Sequence, residues 1–188
     1  NESDLKVIKK KLKIPLNLEI ASTNEMVNIA IKQKPPFICI VPEKRKEITT
    51  EGGLNLNYKK KYLSKVIKKL KKNGSRVSLF IEPKIKDINV AKKLGTDCIE
   101  IHTGRLCNQI NKKKSYSVEL NTIKKAVNFA NKLGLEVHAG HGLTYESSKI
   151  LKKIKGIKEY NIGHFLVGES IFLGLSKTIK KFKKILKL

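Results

Sequence analysis

This sequence of 188 residues lacks several features that mark common protein classes. It has only three cysteines and no Cys-x-x-Cys pair, which argues against a disulfide framework and favours a reducing compartment such as the cytoplasm. Neither the cysteines nor the four histidines have the spacing of a metal site, so we expect no metal. No apolar run approaches the roughly 20 residues of a membrane span, and no signal peptide is recognisable at Asn1. We therefore expect a soluble cytoplasmic protein with no membrane partner.

Arginine is also scarce, although the chain is strongly basic. The formal charge is +25, and only Arg45, Arg76 and Arg105 among the 41 basic residues are arginines. Bidentate recognition of phosphate and guanine favours arginine, and aromatic residues do not alternate with the basic ones here. The lysines are instead spread over every helical segment. We therefore expect no specific nucleic-acid partner, and a basic RNA-binding protein stays as an alternative.

Short apolar or β-branched segments alternate with helical segments along the chain. Apolar residues at three-and-four spacing predict a helix from Tyr58 to Lys72, and Gly134 ends a second one that begins at Ser117. Repeated strand–helix–strand units predict a parallel sheet in one domain over residues 1–188. The six predicted strands are Leu16 to Ile20, Phe37 to Val41, Arg76 to Ile81, Cys98 to His102, Glu136 to Ala139 and Glu159 to Ile162.

Two arrangements of such a sheet compete, an open doubly wound sheet and a (β/α)8 TIM-type barrel. An open dinucleotide-binding sheet would carry Gly-x-Gly-x-x-Gly after its first strand, and the chain has no such motif. A barrel has eight strands, two more than the six predicted here. If the fold is a barrel, we expect the sequence to start inside the second β/α unit, so that the domain is incomplete at its N-terminus.

Two carboxylates occupy the middle of predicted strands. Alternation places Glu19 opposite to the apolar side of the first strand, and it places Glu100 on one side of its strand together with His102. An ionised group inside a sheet is costly without partners, so two of them with a histidine indicate a functional site. His138 also lies in a strand, and its sequence leaves a packed interior residue and a functional residue equally open.

Loops that follow predicted strands add glycine, histidine and hydroxyl groups. The turn GHGLTY contains His141 and Gly142, and the turn GHFLVG contains Gly163 and His164. Loops after the last two strands of a (β/α)8 enzyme often form a phosphate site, so the two turns together predict a phosphorylated ligand. The polar loop VPEKRKEITTEGG, residues 41–53, offers further groups for hydroxyls and phosphates.

Six segments of the chain closely resemble the pyridoxine 5'-phosphate synthase family, in the same order and at near-constant spacing: LNLEIA, FICIVPEKRKEITTEGGLNL, VSLFIEP, IEIHTG, LGLEVHAGHGLTY and EYNIGHFLVGESIFLGL. The resemblance implies a (β/α)8 barrel and a homo-octamer. It also implies condensation of 1-deoxy-D-xylulose 5-phosphate with 3-amino-2-oxopropyl phosphate to pyridoxine 5'-phosphate, phosphate and water, in vitamin B6 biosynthesis, without a metal or organic cofactor.

The resemblance also assigns roles to residues. The first two strands of the family, which would supply further substrate-binding residues and a second catalytic histidine, are missing from this sequence, so an inactive truncated remnant is an alternative to an active enzyme. By resemblance, Glu19 is a proton acceptor, His141 is the proton donor and Glu100 stabilises the transition state. The resemblance also implies that Thr49 binds the deoxyxylulose phosphate. The aminooxopropyl phosphate would be bound by Gly142, Gly163 and His164.

Overall fold

The computed structural model describes residues 1–43, 52–57 and 60–187. Within these residues six strands form one sheet in chain order, β1-β2-β3-β4-β5-β6, and the pairs β1–β2, β2–β3 and β5–β6 are parallel. The predicted six-stranded parallel sheet is confirmed. The strands are β1 (Asn17–Ala21), β2 (Phe37–Val41), β3 (Arg76–Ile81), β4 (Cys98–His102), β5 (Glu136–Gly140) and β6 (Ile157–Asn161).

Helices separate most of the strands, as the alternation predicted. Within the described residues they are α1 (Glu2–Lys11), α2 (Asn24–Gln33), α3 (Lys60–Lys72), α4 (Ile85–Leu94), α5 (Gly104–Asn111), α6 (Ser117–Lys132), α7 (Tyr145–Leu151), α8 (His164–Leu173) and α9 (Leu175–Leu186). None of the described helices is both long and apolar enough to cross a membrane.

The chain divides into two compact units. The first comprises residues 1–82 and 86–100, and the second comprises residues 83–85 and 101–188. The boundary lies within β4, between Glu100 and Ile101. The single domain over residues 1–188 therefore stays a prediction.

In the first unit α2, α3 and α4 each bury a largely apolar stripe, whereas α1 has no buried residue. In α3 the buried residues are Leu63, Val66, Ile67 and Leu70, at the three-and-four spacing that predicted the helix. The helix contacts β3, and the lysines on its other face stay in water. At the start of α2 the side chain of Thr23 accepts a hydrogen bond from the backbone N–H of Met26 and caps the helix.

The second unit follows the same pattern with one exception. In α6 the side chains of Ile123, Ala126, Val127 and Ala130 are buried, and the helix contacts β5. Gly134 follows with φ +70°, a left-handed conformation that suits glycine and ends the helix as predicted. The exception is α8, which is largely apolar and yet has no buried residue.

Candidate active site

In the first unit, the register of the strands aligns Glu19 with Cys39, and Cys39 with Ser78. Residues paired in neighbouring parallel strands point to the same face of the sheet. The thiol of Cys39 also donates a hydrogen bond to Oε2 of Glu100, with 3.4 Å between the two atoms. We call these four residues the carboxylate face, and Glu19 and Glu100 both belong to it, as their positions in the strands predict.

The two carboxylates of the carboxylate face differ in exposure. Glu100 is 4% exposed, whereas Glu19 lies on β1 with its side chain open to solvent. A buried carboxylate that faces polar donors can stabilise positive charge, and an exposed one can exchange protons with water. The face can therefore provide two carboxylates with different chemistry.

Cys39 lies between the two carboxylates and is completely buried. Burial raises the pKa of its thiol well above the ordinary value, and the negative charge of Glu100 raises this pKa further. The hydroxyl of Ser78 acts in the opposite direction, and the charge of Glu19 adds a smaller increase to the pKa of the thiol. The thiol consequently stays protonated at neutral pH and keeps its proton available for Glu100.

In the second unit, two histidines stand side by side after β4 and β5. The ring centroids of His102 and His141 are 4.8 Å apart and the ring planes are inclined by 55°. His102 is the last residue of β4 and is buried, whereas His141 follows β5 directly and is exposed. This imidazole pair presents one ring that is held by packing and a second ring that solvent or a ligand can reach.

The turn that carries His141 is held by Thr103. His141 has φ +76°, a left-handed conformation that costs a non-glycine residue of order 1 kcal/mol or more. The fully buried Thr103 hydroxyl lies 2.8 Å from the carbonyl oxygen of Gly140 and 2.7 Å from that of His141, and it shares its single proton between them. The backbone N–H of Thr103 donates to the Gly140 carbonyl as well, at 2.9 Å. These bonds offset the strain and hold the backbone that carries the imidazole.

Two glycines make room for this arrangement. A Cβ on Gly104 would lie 2.7 Å from Nε2 of His102 and 2.8 Å from Cδ2 of His141, both too close for any ordinary contact. Gly142 has φ +77°, and a Cβ there would lie 3.0 Å from Cβ of Cys107. The close packing of the two rings therefore depends on the missing side chain of Gly104.

Two further predicted binding residues, Gly163 and His164, lie after β6. Gly163 immediately precedes α8, and His164 is the first residue of this helix. A Cβ on Gly163 would meet no atom within 4 Å, so the space around it is open. The first backbone N–H groups of a helix lack helical acceptors, and they favour an anion. Thr49 lies outside the described residues.

His138 is a buried histidine of β5 with a carboxylate on either side of its ring. It is 2% exposed, its Nε2 lies 2.9 Å from Oε1 of Glu136, and its Nδ1 lies 3.7 Å from Oε1 of Glu159. Glu136 therefore satisfies Nε2, whereas Nδ1 is too far from Glu159 for a hydrogen bond and is buried without a hydrogen-bond partner among the described residues. Both interpretations that its sequence left open, a packed interior residue and a functional residue, therefore stay open.

Comparison with known proteins identifies the family. The sequence pattern of the family described as "Pyridoxal phosphate biosynthesis protein PdxJ" matches residues 1–188. The chain belongs to the PdxJ family. A relative from Pelagibacter ubique, named pyridoxine 5'-phosphate synthase, is 54% identical over 98% of this chain and 77% of its own length. A relative of the same name from Sulfurihydrogenibium is 47% identical over 98% of this chain and 76% of its own length.

Solved structures show that this PdxJ-family chain has a TIM-barrel-like fold. The 3-hexulose-6-phosphate synthase of Salmonella typhimurium aligns with a TM-score of 0.67 at 11% identity, over 98% of this chain and 78% of the other. A tryptophan synthase alpha-subunit from Pyrococcus furiosus aligns with a TM-score of 0.63 at 14% identity, over 100% of this chain and 72% of the other. At such low identity these likenesses concern the fold alone.

Sequence reasoning did not single out Cys39, Thr103 or Gly104 in this PdxJ-family chain. The small number of cysteines bears only on disulfide and metal sites, and the position of Cys39 in β2 opposite Glu19 depends on the register. Thr103 and Gly104 belong to the segment IEIHTG, which carried part of the family resemblance. The position of a threonine and a glycine directly after a predicted strand was therefore the sequence feature that could have indicated Thr103 and Gly104 as site residues.

Proposed function

We propose that this chain catalyses the synthesis of pyridoxine 5'-phosphate. The reaction condenses 1-deoxy-D-xylulose 5-phosphate with 3-amino-2-oxopropyl phosphate and releases phosphate and water. The observation that carries the proposal is the 54% identity, over 98% of this chain, to a relative named pyridoxine 5'-phosphate synthase. The carboxylate face and the imidazole pair provide the acid and base groups that such a ring closure requires.

In this proposal Glu19 accepts protons and Glu100 stabilises the transition state. An exposed carboxylate can take a proton from a bound substrate and pass it to water, which fits Glu19. Glu100 is buried and held by the thiol of Cys39, so its charge has a fixed position. A fixed charge stabilises a developing positive charge without reorganisation during the reaction.

His141 is the proposed proton donor. Loss of hydroxyl groups during ring closure requires protonation of each leaving oxygen, and an imidazolium is suited to this near neutral pH. The exposed position of the His141 ring and the Thr103 bonds that hold its backbone support this role.

Binding of the aminooxopropyl phosphate is assigned to Gly142, Gly163 and His164. The open start of α8 and the glycine at its N-terminus support a phosphate near Gly163, because free N–H groups there can donate to phosphate oxygens. Thr49 is proposed to bind the deoxyxylulose phosphate, on the resemblance alone.

Self-association and location form a further part of the proposal. Val167, Ile171 and Phe172 of α8 are 63%, 80% and 85% exposed. Monomeric proteins rarely leave a contiguous apolar patch of this kind in water. The patch supports a homo-oligomer, and the resemblance makes it an octamer in the cytoplasm. Sedimentation velocity at several protein concentrations tests it, and a monomer at all concentrations would contradict it.

In the direct test of the activity, the purified protein is mixed with both phosphorylated substrates. We expect pyridoxine 5'-phosphate and inorganic phosphate to appear in equal amounts, followed by absorbance of the aromatic product and by a phosphate assay. Omission of either substrate is the control. A folded protein that binds neither substrate would instead support an inactive remnant, and salt-sensitive, sequence-selective binding of RNA would support the RNA-binding alternative.

A further inference from the structure

We propose that Cys39 is a positioning residue for Glu100, holding the carboxylate of this side chain through a thiol hydrogen bond. The inference rests on the proposed function, because it concerns how Glu100 performs its part in that reaction. It adds to the site a residue whose side chain acts through Glu100 alone.

The geometry of the contact carries the inference. Sγ of Cys39 lies 3.4 Å from Oε2 of Glu100, a hydrogen-bond distance for sulfur, although the two residues are 61 positions apart in the chain. Cys39 is 0% exposed and Glu100 is 4% exposed, so water competes little for either group. The contact joins β2 to β4 on the carboxylate face, where strand backbones fix both Cα positions.

The chemistry of the pair suits a positioning role. A buried carboxylate without donors is costly, and each donor it gains both lowers that cost and restricts its rotation. A thiol supplies one donor without adding a charge, so it leaves the negative charge of Glu100 intact for the substrate. A lysine in the same place would instead neutralise that charge.

The environment keeps the thiol in its donor form. Burial and the charges of Glu100 and Glu19 raise the pKa of Cys39, so a thiolate is disfavoured near neutral pH. Nucleophilic or metal-binding cysteines require the thiolate. Cys39 therefore donates its proton to Glu100 and does not itself attack a substrate.

Two substitutions of Cys39 distinguish the effect of the hydrogen-bond donor on kcat from the effect of side-chain packing. Cys39→Ala removes the thiol, and we expect kcat to fall about tenfold with little change in either KM, because the lost bond orients a group that acts in the transition state. Cys39→Ser keeps a donor of similar size and should restore kcat to within about threefold of the unmodified protein. Such rescue would not occur if only the volume of the sulfur mattered.

Cys98 offers a matched control. It is 1% exposed and lies on the same strand as Glu100, two residues before it and hence on the same face. Cys98→Ala removes the same atoms from an equally buried position, together with a hydrogen bond that Sγ accepts from the Arg76 guanidinium at 3.3 Å, so it should destabilise the protein at least as much as Cys39→Ala while kcat stays unchanged. Urea unfolding of all variants checks that each one folds.

An infrared measurement tests the bond without any turnover. The S–H stretching band that disappears in Cys39→Ala belongs to this thiol, and a carboxylate acceptor should place it at lower frequency than the bands of the other two thiols. Glu100→Gln substitutes a weaker neutral acceptor and should move the band to higher frequency. The band can be recorded whether or not the protein turns over substrate.

The outcomes distinguish this inference from the proposed function. Absence of turnover in the unmodified protein would overturn the proposed function, and the role of Cys39 with it. Normal turnover together with an unchanged kcat in folded Cys39→Ala would overturn the role of Cys39 alone. A band that does not move in Glu100→Gln would also overturn it.

Discussion

Replacement of Gly104 by alanine tests whether the imidazole pair must have the geometry seen in the structure. The new Cβ would lie 2.7 Å from Nε2 of His102 and 2.8 Å from Cδ2 of His141. Ordinary van der Waals contact begins near 3.4 Å. The ring of His102 would therefore have to move away from the new Cβ by about 0.7 Å, and the ring of His141 by about 0.6 Å. His102 is buried and has little room, whereas the exposed His141 can turn away. We expect His141 to be displaced.

The displacement should affect turnover more than stability. A shift of about 1 Å in a reacting group can reduce a rate by about 10²-fold, so a retreat of this size predicts a fall in kcat of roughly 10- to 100-fold. Overpacking of a dense site costs typically about 1–3 kcal/mol of unfolding free energy. Steady-state kinetics measures the first effect, and urea unfolding measures the second.

Gly168→Ala is the matched control for Gly104→Ala. Gly168 lies within α8, and a Cβ there would meet no atom within 4 Å. Alanine in a helix interior is more favourable than glycine by about 0.5–1 kcal/mol, so this variant should be as stable or more stable, with normal kcat. An unchanged kcat in a folded Gly104→Ala protein would refute the importance of the imidazole pair.

Four further predictions concern the same two units. Glu19→Gln and His141→Asn should each lower kcat by roughly 10²-fold with much smaller changes in KM, and near-normal turnover in Glu19→Gln would contradict its role as proton acceptor. His164→Ala should mainly raise KM for the amino substrate, and an unchanged KM would contradict a phosphate site at the start of α8. Thr103→Val should cost about 1 kcal/mol in urea unfolding, because the hydroxyl proton shared by the Gly140 and His141 carbonyls is lost while Gly140 keeps the backbone N–H of residue 103, and an unchanged unfolding free energy would contradict that. Because burial and nearby charge raise the pKa of Cys39, iodoacetamide should label this residue far more slowly in the folded protein than in urea at the same pH, as mass spectrometry of peptides would show.

Strand positions could be predicted closely because β-branched runs between polar segments are a local signal. The predictions for β2, β3 and β4 have the bounds of the structure, and β1 is displaced by one residue. The larger difference is in β6, which was predicted from Glu159 and begins at Ile157. Gly156 has φ +101° and ends the preceding turn, so the chain extends directly after it. The charged residues Lys158 and Glu159 interrupt any apolar run after Ile157, so the sequence did not indicate that the strand begins there.

The exposed apolar helix α8 illustrates a different limit of sequence reasoning. Its segment contributed to the resemblance, but its apolar residues lie on all sides and define no single buried stripe. Periodicity therefore could not predict which side of the helix would be covered. The structure leaves Ile171 and Phe172 in water, a property that depends on what surrounds the helix and cannot be read from its own residues.

The contact between Cys39 and Glu100 shows what strand alternation can and cannot predict about a site. Alternation assigns each residue to a face, and this placed Glu19 and Glu100 correctly from sequence. It does not predict the register between strands, and a slip of one residue would turn the Cys39 side chain to the other face. The register aligns an uncharged donor with Glu19 and brings it within 3.4 Å of Glu100. A valine at position 39 would leave Glu100 without this donor, and a charged donor would cancel the charge that the proposed reaction requires, so the neutral thiol satisfies both conditions.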